Sequence, residues 1–147
     1  MFTASLVLYD SSMETMKFNA RLVKGSGRGK LIGTPTLNMD LNDVPADVVE
    51  GIYAGWANVD GIWHKAAIHY GPRPVFQDST SFEAYLLDTI IDVAPERIEI
   101  ALIERLRDVM DFPSKDDLLT QIKADVEQTR AILSAHGSPD ASTASPE

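Results

Sequence analysis

Apolar and polar residues alternate along the middle of the chain in the way that is typical of antiparallel strands. This alternation predicts a first strand over Phe18–Lys24. Gly51–Val59 and Ile62–His69 are rich in β-branched and aromatic residues, and Asp60 and Gly61 between them are a strong signal for a type I′ turn. We expect these two segments to form a hairpin.

Further strands are predicted over Phe82–Asp88 and Arg97–Arg105, and a short one is possible over Ser5–Tyr9. Residues 39–50 carry turn formers and acids without clear periodicity, which indicates a long loop. Because strand follows strand with no helical pattern between them, the sequence favours a closed or split antiparallel barrel.

A single long helix is predicted near the end of the chain. Ser114 is a good N-cap with Asp117 three residues later. The apolar stripe of this helix consists of Leu118, Ile122, Val126 and Leu133, and we expect it to pack on the barrel. The residues that follow are mostly Ser, Ala, Pro and acids, a composition that favours disorder. The predicted division is therefore an N-terminal extension (1–17), a barrel domain (18–133) and a disordered tail (134–147).

Composition narrows the class of protein. The 147 residues are enough for one domain with its own core, and the absence of Cys excludes a disulfide framework and a cysteine nucleophile. A net charge of −9 argues against nucleic acid as the main partner. The first ten residues are too short an apolar run for a signal or membrane segment. We expect a cytoplasmic monomer that does not bind membranes.

A glycine-rich loop follows the first strand and is locally basic within an acidic chain. It covers residues 25–38, GSGRGKLIGTPTLN, and its positive charges are Lys24, just before it, Arg28 and Lys30. Glycine lets backbone N–H groups approach a ligand closely, so the loop could hold a phosphate, but a flexible surface turn remains open as an interpretation. The spacing matches neither a Walker A loop nor a dinucleotide fingerprint.

Thr36 and Asn38 follow this loop and are candidate magnesium ligands. Pro35 favours an extended chain before it, and in an extended chain residues two apart share a face. Both side chains offer neutral oxygen, which Mg²⁺ prefers, but the ion takes about six oxygens. The remaining ligands would be water and phosphate, so we expect the metal to arrive with a nucleotide.

Glu83 is a carboxylate within an otherwise apolar strand. Its predicted face also carries Tyr85 and Leu87, while Phe82 and Ala84 face the other side. The solvated outer face of the barrel is the favoured location, because Glu is seldom fully buried. In a cavity beside a nucleotide, the same carboxylate would be suited to accept a proton from an attacking hydroxyl.

The remaining candidates point to structure more than to chemistry. His64 and His69 lack the spacing of a metal site and are interpreted as structural or surface residues. The aromatic residues Tyr53, Trp56 and Trp63 are interpreted as barrel core or rim.

Taken together, the sequence resembles the riboflavin kinase family, which phosphorylates riboflavin to FMN. The matching segments, in the order of the family, are GSGRGKLIGTPTLN, GIYAGWANVDG, AIHYGPRPVF, SFEAYLLD, LRDVMDFPSKDDL and QIKADVE. The likeness runs from about residue 18 to about residue 133.

The resemblance implies a mainly β fold, a six-stranded antiparallel Greek-key barrel with the helix packed on it. It also implies a site for ATP, Mg²⁺ and riboflavin. The implied roles are base for Glu83; magnesium and phosphate contact for Thr36 and Asn38; nucleotide binding for Gly25, Lys30, Leu86 and Asp88; and flavin contact for Arg107 and Phe112.

Some positions depart from the family pattern. The family often has Asn at the position of His69, His at that of Tyr85 and Ala at that of Leu37.

The leading hypothesis is an ATP- and Mg²⁺-dependent riboflavin kinase without FAD synthesis. The alternatives are a non-catalytic flavin- or nucleotide-binding protein on the same barrel and a barrel used only for protein contacts.

Overall fold

Six strands and one long helix make up the fold of the residues that the computed structural model describes, 16–23, 36–72 and 80–139. In chain order these are β1 Met16–Val23, β2 Thr36–Met39, β3 Gly51–Val59, β4 Ile62–Pro72, β5 Thr80–Leu86, β6 Arg97–Arg107 and helix α1 Lys115–His136. A 3₁₀ turn over Leu41–Asp43 follows β2. The possible strand at Ser5–Tyr9 lies outside the described residues.

The strands close into a barrel in the order β1-β2-β5-β4-β3-β6, and every neighbouring pair is antiparallel. Strands β3, β4 and β5 are sequential neighbours, and β6 returns to lie beside β3, which is a Greek key. The predicted six-stranded antiparallel barrel with a C-terminal helix is therefore confirmed, and the barrel is closed.

The β3–β4 hairpin forms at the predicted turn. Val59 pairs with Ile62, and the two residues between them, Asp60 and Gly61, have φ angles of 53° and 91°. A type I′ turn requires positive φ at both central positions, which explains the Asp-Gly sequence. Strand bounds elsewhere differ from the prediction by a few residues; β5, for example, begins at Thr80 instead of Phe82.

Two separate apolar clusters hold the molecule together. The first fills the barrel and includes Phe82, Met39 and Ile68. The second lies on the outer side of the barrel, where Trp56 and Ile103 pack against Leu133 of α1. One face of the sheet is thus barrel interior, and part of the other is covered by the helix.

The helix begins as predicted, and its buried face matches the predicted stripe at Leu118 and Leu133. The Ser114 side chain accepts a hydrogen bond from the backbone N–H of Asp117, which confirms the N-cap. The buried residues of α1 are Leu118, Asp125, Thr129 and Leu133. Val126 is only partly buried, so its predicted place in the buried stripe was wrong, and a carboxylate lies beside it on the covered face.

The helix also runs beyond the predicted start of the tail. It continues through Ser134 to His136 and ends at Gly137, whose φ of 72° suits a residue without a Cβ. The expectation of disorder from Ser134 was therefore wrong for the first residues, which complete the last helical turn. In the described ranges, no helix combines the length and the apolar composition that crossing a membrane needs.

Gly55 is required by close packing of β3 on β6. A Cβ at this position would lie 2.4 Å from the carbonyl oxygen of Ala101 and 2.9 Å from Cδ1 of Ile68. We expect Gly55→Ala to lower the free energy of unfolding by about 3 kcal/mol, the upper end for overpacking, because a backbone atom cannot move aside. Urea unfolding measures the loss.

Gly61→Ala is the matched control for that measurement. Its added Cβ would meet nothing within 4 Å, so only the positive φ is strained. This should cost about 1 kcal/mol. A loss for Gly55→Ala no larger than the loss for Gly61→Ala would contradict the packing argument.

Arg21 of β1 anchors the segment that follows β2. Its backbone N–H donates to Oδ2 of Asp43 over 2.9 Å, and its guanidinium contacts both Asp43 and Asp40. The hydrogen bond from the Arg21 backbone is the largest cause that lowers the pKa of Asp43 from 3.8.

Because this pKa is lower in the folded state, ionised Asp43 stabilises the fold above about pH 3.8, and the contribution disappears as pH falls through the folded value. We expect Asp43→Asn to be less stable than wild type at pH 7, with a smaller difference at pH 3. Urea unfolding at both pH values tests this, and a difference that grows at pH 3 would contradict it.

Candidate active site

Strands β2 and β5 bring the main candidate residues together. Asn38 pairs with Glu83 and Thr36 pairs with Tyr85. Residues directly opposite each other in an antiparallel pair project to the same side of the sheet. Leu37 and Phe82 fill the barrel interior, so Thr36, Asn38 and Glu83 lie on the outer side. The predicted common face of Thr36 and Asn38 is confirmed.

Glu83 is buried on this outer side and is held by two hydroxyl groups. Its Oε1 accepts a hydrogen bond from Thr36 Oγ1 over 3.1 Å, and its Oε2 accepts one from Ser81 Oγ over 2.6 Å. The residue is only 2% exposed. The preference for a solvated location was wrong, although the strand face was assigned correctly. Sequence reasoning missed Ser81, which the same alternation places next to Glu83 on its face.

Glu83 and helix α1 line the same pocket. This pocket lies between the outer side of the barrel and the first half of the helix, lined by Thr36, Glu83, Arg107, Leu118, Ile122 and Asp125 among others. Its cavity volume is about 50 Å³. Pockets that enclose a small-molecule ligand typically measure about 300–1,000 Å³. A ligand as large as a nucleoside or flavin would therefore extend beyond this cavity or widen it.

Arg107 lies at the opposite wall of the pocket and is paired with the helix. Its Nε lies 3.0 Å from Oδ1 of Asp125 and its Nη2 lies 2.7 Å from Oδ2, a bidentate ion pair. Its guanidinium carbon lies 6.0 Å from the centre of the Phe112 ring, within cation–π range. The structure thus brings together both residues that the resemblance assigns to the flavin.

Asp125 is a site residue that sequence reasoning missed. It is only 4% exposed and also accepts a hydrogen bond from Nε2 of Gln121 over 3.0 Å. In the sequence it stands beside the predicted apolar stripe, and only the packing of α1 on the barrel reveals its partner. Its pairing with Arg107 joins the helix to the end of β6.

Leu86, the last residue of β5, and Asp88, two residues later, are both assigned to the nucleotide, but their side chains differ in exposure. The side chain of Leu86 is 4% exposed and belongs to the barrel interior, so only its backbone could meet a nucleotide. Asp88 is exposed and accepts from Nη1 of Arg130 over 2.6 Å. Arg130 also donates to the carbonyl oxygen of Leu87, and it too was missed by sequence reasoning.

His69 borders the site more closely than its sequence position indicated. It pairs with Glu83 across β4 and β5, is 6% exposed and lines the pocket. Its Nε2 lies 3.0 Å from the carbonyl oxygen of Pro72, so Nε2 is assigned the proton. His64 lies nearer the start of β4 and is partly buried.

Of the three aromatic residues predicted in the barrel core or rim, only Tyr53 is confirmed there, in the barrel interior. Trp56 and Trp63 belong to the cluster on the outer side of the barrel, and Lys17 lies above the Trp63 ring. Burial raises the pKa of the Tyr53 hydroxyl, which donates to the carbonyl oxygen of Val49. None of the three lines the pocket at Glu83.

Gly25, Lys30 and the rest of the glycine-rich loop as far as residue 35 lie outside the described residues. Their assignment to the nucleotide stays a prediction. In the described part of the chain, no group of three His, Asp or Glu side chains is placed to hold a metal ion. A metal held by the described residues of this site would therefore rely on neutral oxygens such as those of Thr36 and Asn38.

Comparison with known proteins identifies the family. The sequence model of riboflavin kinase (flavokinase) matches residues 12–133. The riboflavin kinase of Mus musculus is 34% identical over 130 residues, covering 82% of this chain and 84% of the mouse protein.

Two solved structures share the fold. A Streptococcus pneumoniae protein described as a macrolide-efflux protein superposes with a TM-score of 0.67 at 30% identity, covering 78% of this chain and 38% of that longer one. The riboflavin kinase of Trypanosoma brucei superposes with a TM-score of 0.58 at 21% identity, covering 84% and 82%. With a family match across most of the chain and a curated relative of similar length, this protein belongs to the riboflavin kinase family.

Proposed function

We propose that this chain transfers the γ-phosphoryl group of ATP to the 5′-hydroxyl of riboflavin, giving FMN and ADP. The observation that carries the proposal is the carboxylate of Glu83, which is buried, accepts a hydrogen bond from Thr36 and lines the same pocket as Arg107. Membership of the riboflavin kinase family supports the choice of substrate.

Glu83 acts as the general base in this proposal. The hydroxyls of Thr36 and Ser81 donate to its two carboxylate oxygens and hold the side chain in place. In the proposed reaction this carboxylate accepts the proton of the 5′-hydroxyl as the hydroxyl oxygen bonds to the γ-phosphorus. The bond from that phosphorus to the β–γ bridging oxygen breaks, and ADP leaves. In such transfers positioning and charge stabilisation supply most of the rate enhancement.

Thr36 and Asn38 fit a magnesium ion that is shared with nucleotide phosphates. Thr36 Oγ1 donates its proton to Glu83, so its lone pairs remain directed away from that bond and suit a cation. Asn38 is on the same face and adds a carboxamide oxygen. Bound Mg²⁺ would neutralise charge on the phosphates. Two neutral ligands from the protein agree with an ion that keeps waters and takes the rest from ATP.

Glu83→Gln should lower turnover by about 10²- to 10⁴-fold, the usual range for losing a general base, while riboflavin still binds. The measurement is FMN formation from riboflavin and MgATP, resolved by chromatography. Glu104→Gln is the control, because Glu104 is an exposed strand residue on β6.

Near-normal turnover by Glu83→Gln would show that Glu83 is not the base. A wild-type chain that binds riboflavin and makes no FMN would instead support a non-catalytic flavin-binding protein. The same incubation therefore separates the two functions.

Thr36→Val should raise the Mg²⁺ concentration needed for half-maximal turnover by about ten-fold or more, because even outer-shell losses at metal sites cost that much. Titrating Mg²⁺ at fixed ATP measures the shift. Thr36→Ser keeps the hydroxyl and should stay close to wild type. An unchanged Mg²⁺ requirement in Thr36→Val would remove Thr36 from the metal site.

A further inference from the structure

Helix α1 carries a buried carboxylate that has no role in the reaction proposed for Glu83. Asp125 is 4% exposed and occupies the covered face of the helix together with Leu118 and Leu133. Moving a carboxylate out of water is costly unless it is paired and fully hydrogen bonded. Both oxygens of Asp125 have partners, because the Arg107 guanidinium donates to each of them and Gln121 donates to Oδ1.

The ion pair is not the only described contact between the helix and the barrel. The helix is already held by apolar packing around Leu133 and Trp56, and Arg130 links it to Asp88. A buried ion pair is weak evidence for stability, since apolar replacements of similar volume are often neutral or stabilising. The pairing therefore points to a local role at Arg107.

Arg107 is held in one orientation by its partners. Its guanidinium donates to both oxygens of Asp125 and, through Nη1, to the carbonyl oxygen of Asp108 over 2.9 Å. These contacts use three of the five N–H donors of an arginine. The described contacts leave the other two donors available to a ligand. The same guanidinium lines the pocket that contains Glu83. Its orientation therefore sets the direction of the donors that a ligand in this pocket would meet.

Asp125 also sets the net charge on the side of the pocket formed by Arg107. With its carboxylate bound to the guanidinium, the pair carries no net charge, so its remaining N–H groups suit a neutral acceptor such as a carbonyl oxygen. Riboflavin before phosphorylation is a neutral substrate with ring carbonyl groups. An uncompensated guanidinium at the same place would favour anions instead.

We propose that Asp125, supported by Gln121, is a positioning residue that orients and neutralises Arg107 for riboflavin. The inference rests on the proposed function, because it takes riboflavin as the ligand of this pocket. It assigns to the helix a role in substrate binding in addition to covering the barrel.

A double-mutant cycle on riboflavin binding tests the inference. The variants are Asp125→Asn, Arg107→Met and the two combined, and fluorescence titration of riboflavin gives each dissociation constant without turnover. We expect Asp125→Asn to weaken binding by about ten-fold, within the range of coupling between residues in direct contact. In the Arg107→Met background, the same substitution should change affinity by less than about two-fold, because Asp125 then has no guanidinium to orient.

Steady-state kinetics add a second readout. The KM for riboflavin should rise in Asp125→Asn while the KM for MgATP stays at its wild-type value, since the ion pair lies away from Thr36 and Asn38 on the wall of Arg107. Glu127→Gln is the control, because Glu127 is an exposed acid on the same helix. It should match wild type in both constants.

The combined variant Arg107→Met/Asp125→Leu guards against misfolding. Apolar replacement of both partners should retain the stability of the helix, and riboflavin affinity should equal that of Arg107→Met alone. Equal effects of Asp125→Asn with and without Arg107 would overturn the positioning role, as would a matching rise in the KM for MgATP. A wild-type chain that binds riboflavin but forms no FMN would overturn the transfer reaction, and the binding cycle would still decide the role of Asp125.

Discussion

The pairing of β2 with β5 is the constraint on which the candidate site depends. Asn38 opposite Glu83 places the hydroxyl of Thr36 within 3.1 Å of the carboxylate. A slip of one residue would bring Leu37 opposite Glu83 and turn Thr36 into the barrel. The register is fixed from the other face of the same strands, because Leu37 and Phe82 fill the interior. The core thus determines the geometry of polar groups that it does not touch.

The two faces of the sheet carry different kinds of residues. The interior is apolar and closes the barrel, whereas the outer face of β2, β4 and β5 carries Thr36, His69 and Glu83. An outer face would ordinarily be solvated. Part of this outer face is covered by helix α1, and the carboxylate of Glu83, although directed away from the barrel interior, is buried.

Features determined by neighbouring residues could be predicted from the sequence. The Asp60-Gly61 turn and the Ser114 cap depend on local backbone conformation, and both formed as expected. The burial of Glu83 and the pairing of Asp125 with Arg107 depend on contacts between elements far apart in the chain, which periodicity along one element cannot reveal. The family resemblance supplied Arg107 and Phe112 but not the residues that hold Arg107 in place. The resemblance assigned Leu86 to the nucleotide, but it could not show that the Leu86 side chain belongs to the barrel interior.

The pocket contains two buried carboxylates that differ in their described hydrogen-bond partners. Both oxygens of Asp125 are bound by the guanidinium of Arg107. Glu83 accepts hydrogen bonds from the hydroxyls of Ser81 and Thr36, and each hydroxyl can rotate about its own single bond. A bidentate pair fixes the relative orientation of two planar groups, whereas a hydroxyl can be redirected by a ligand. The geometry of Asp125 therefore suits it to holding Arg107 in place.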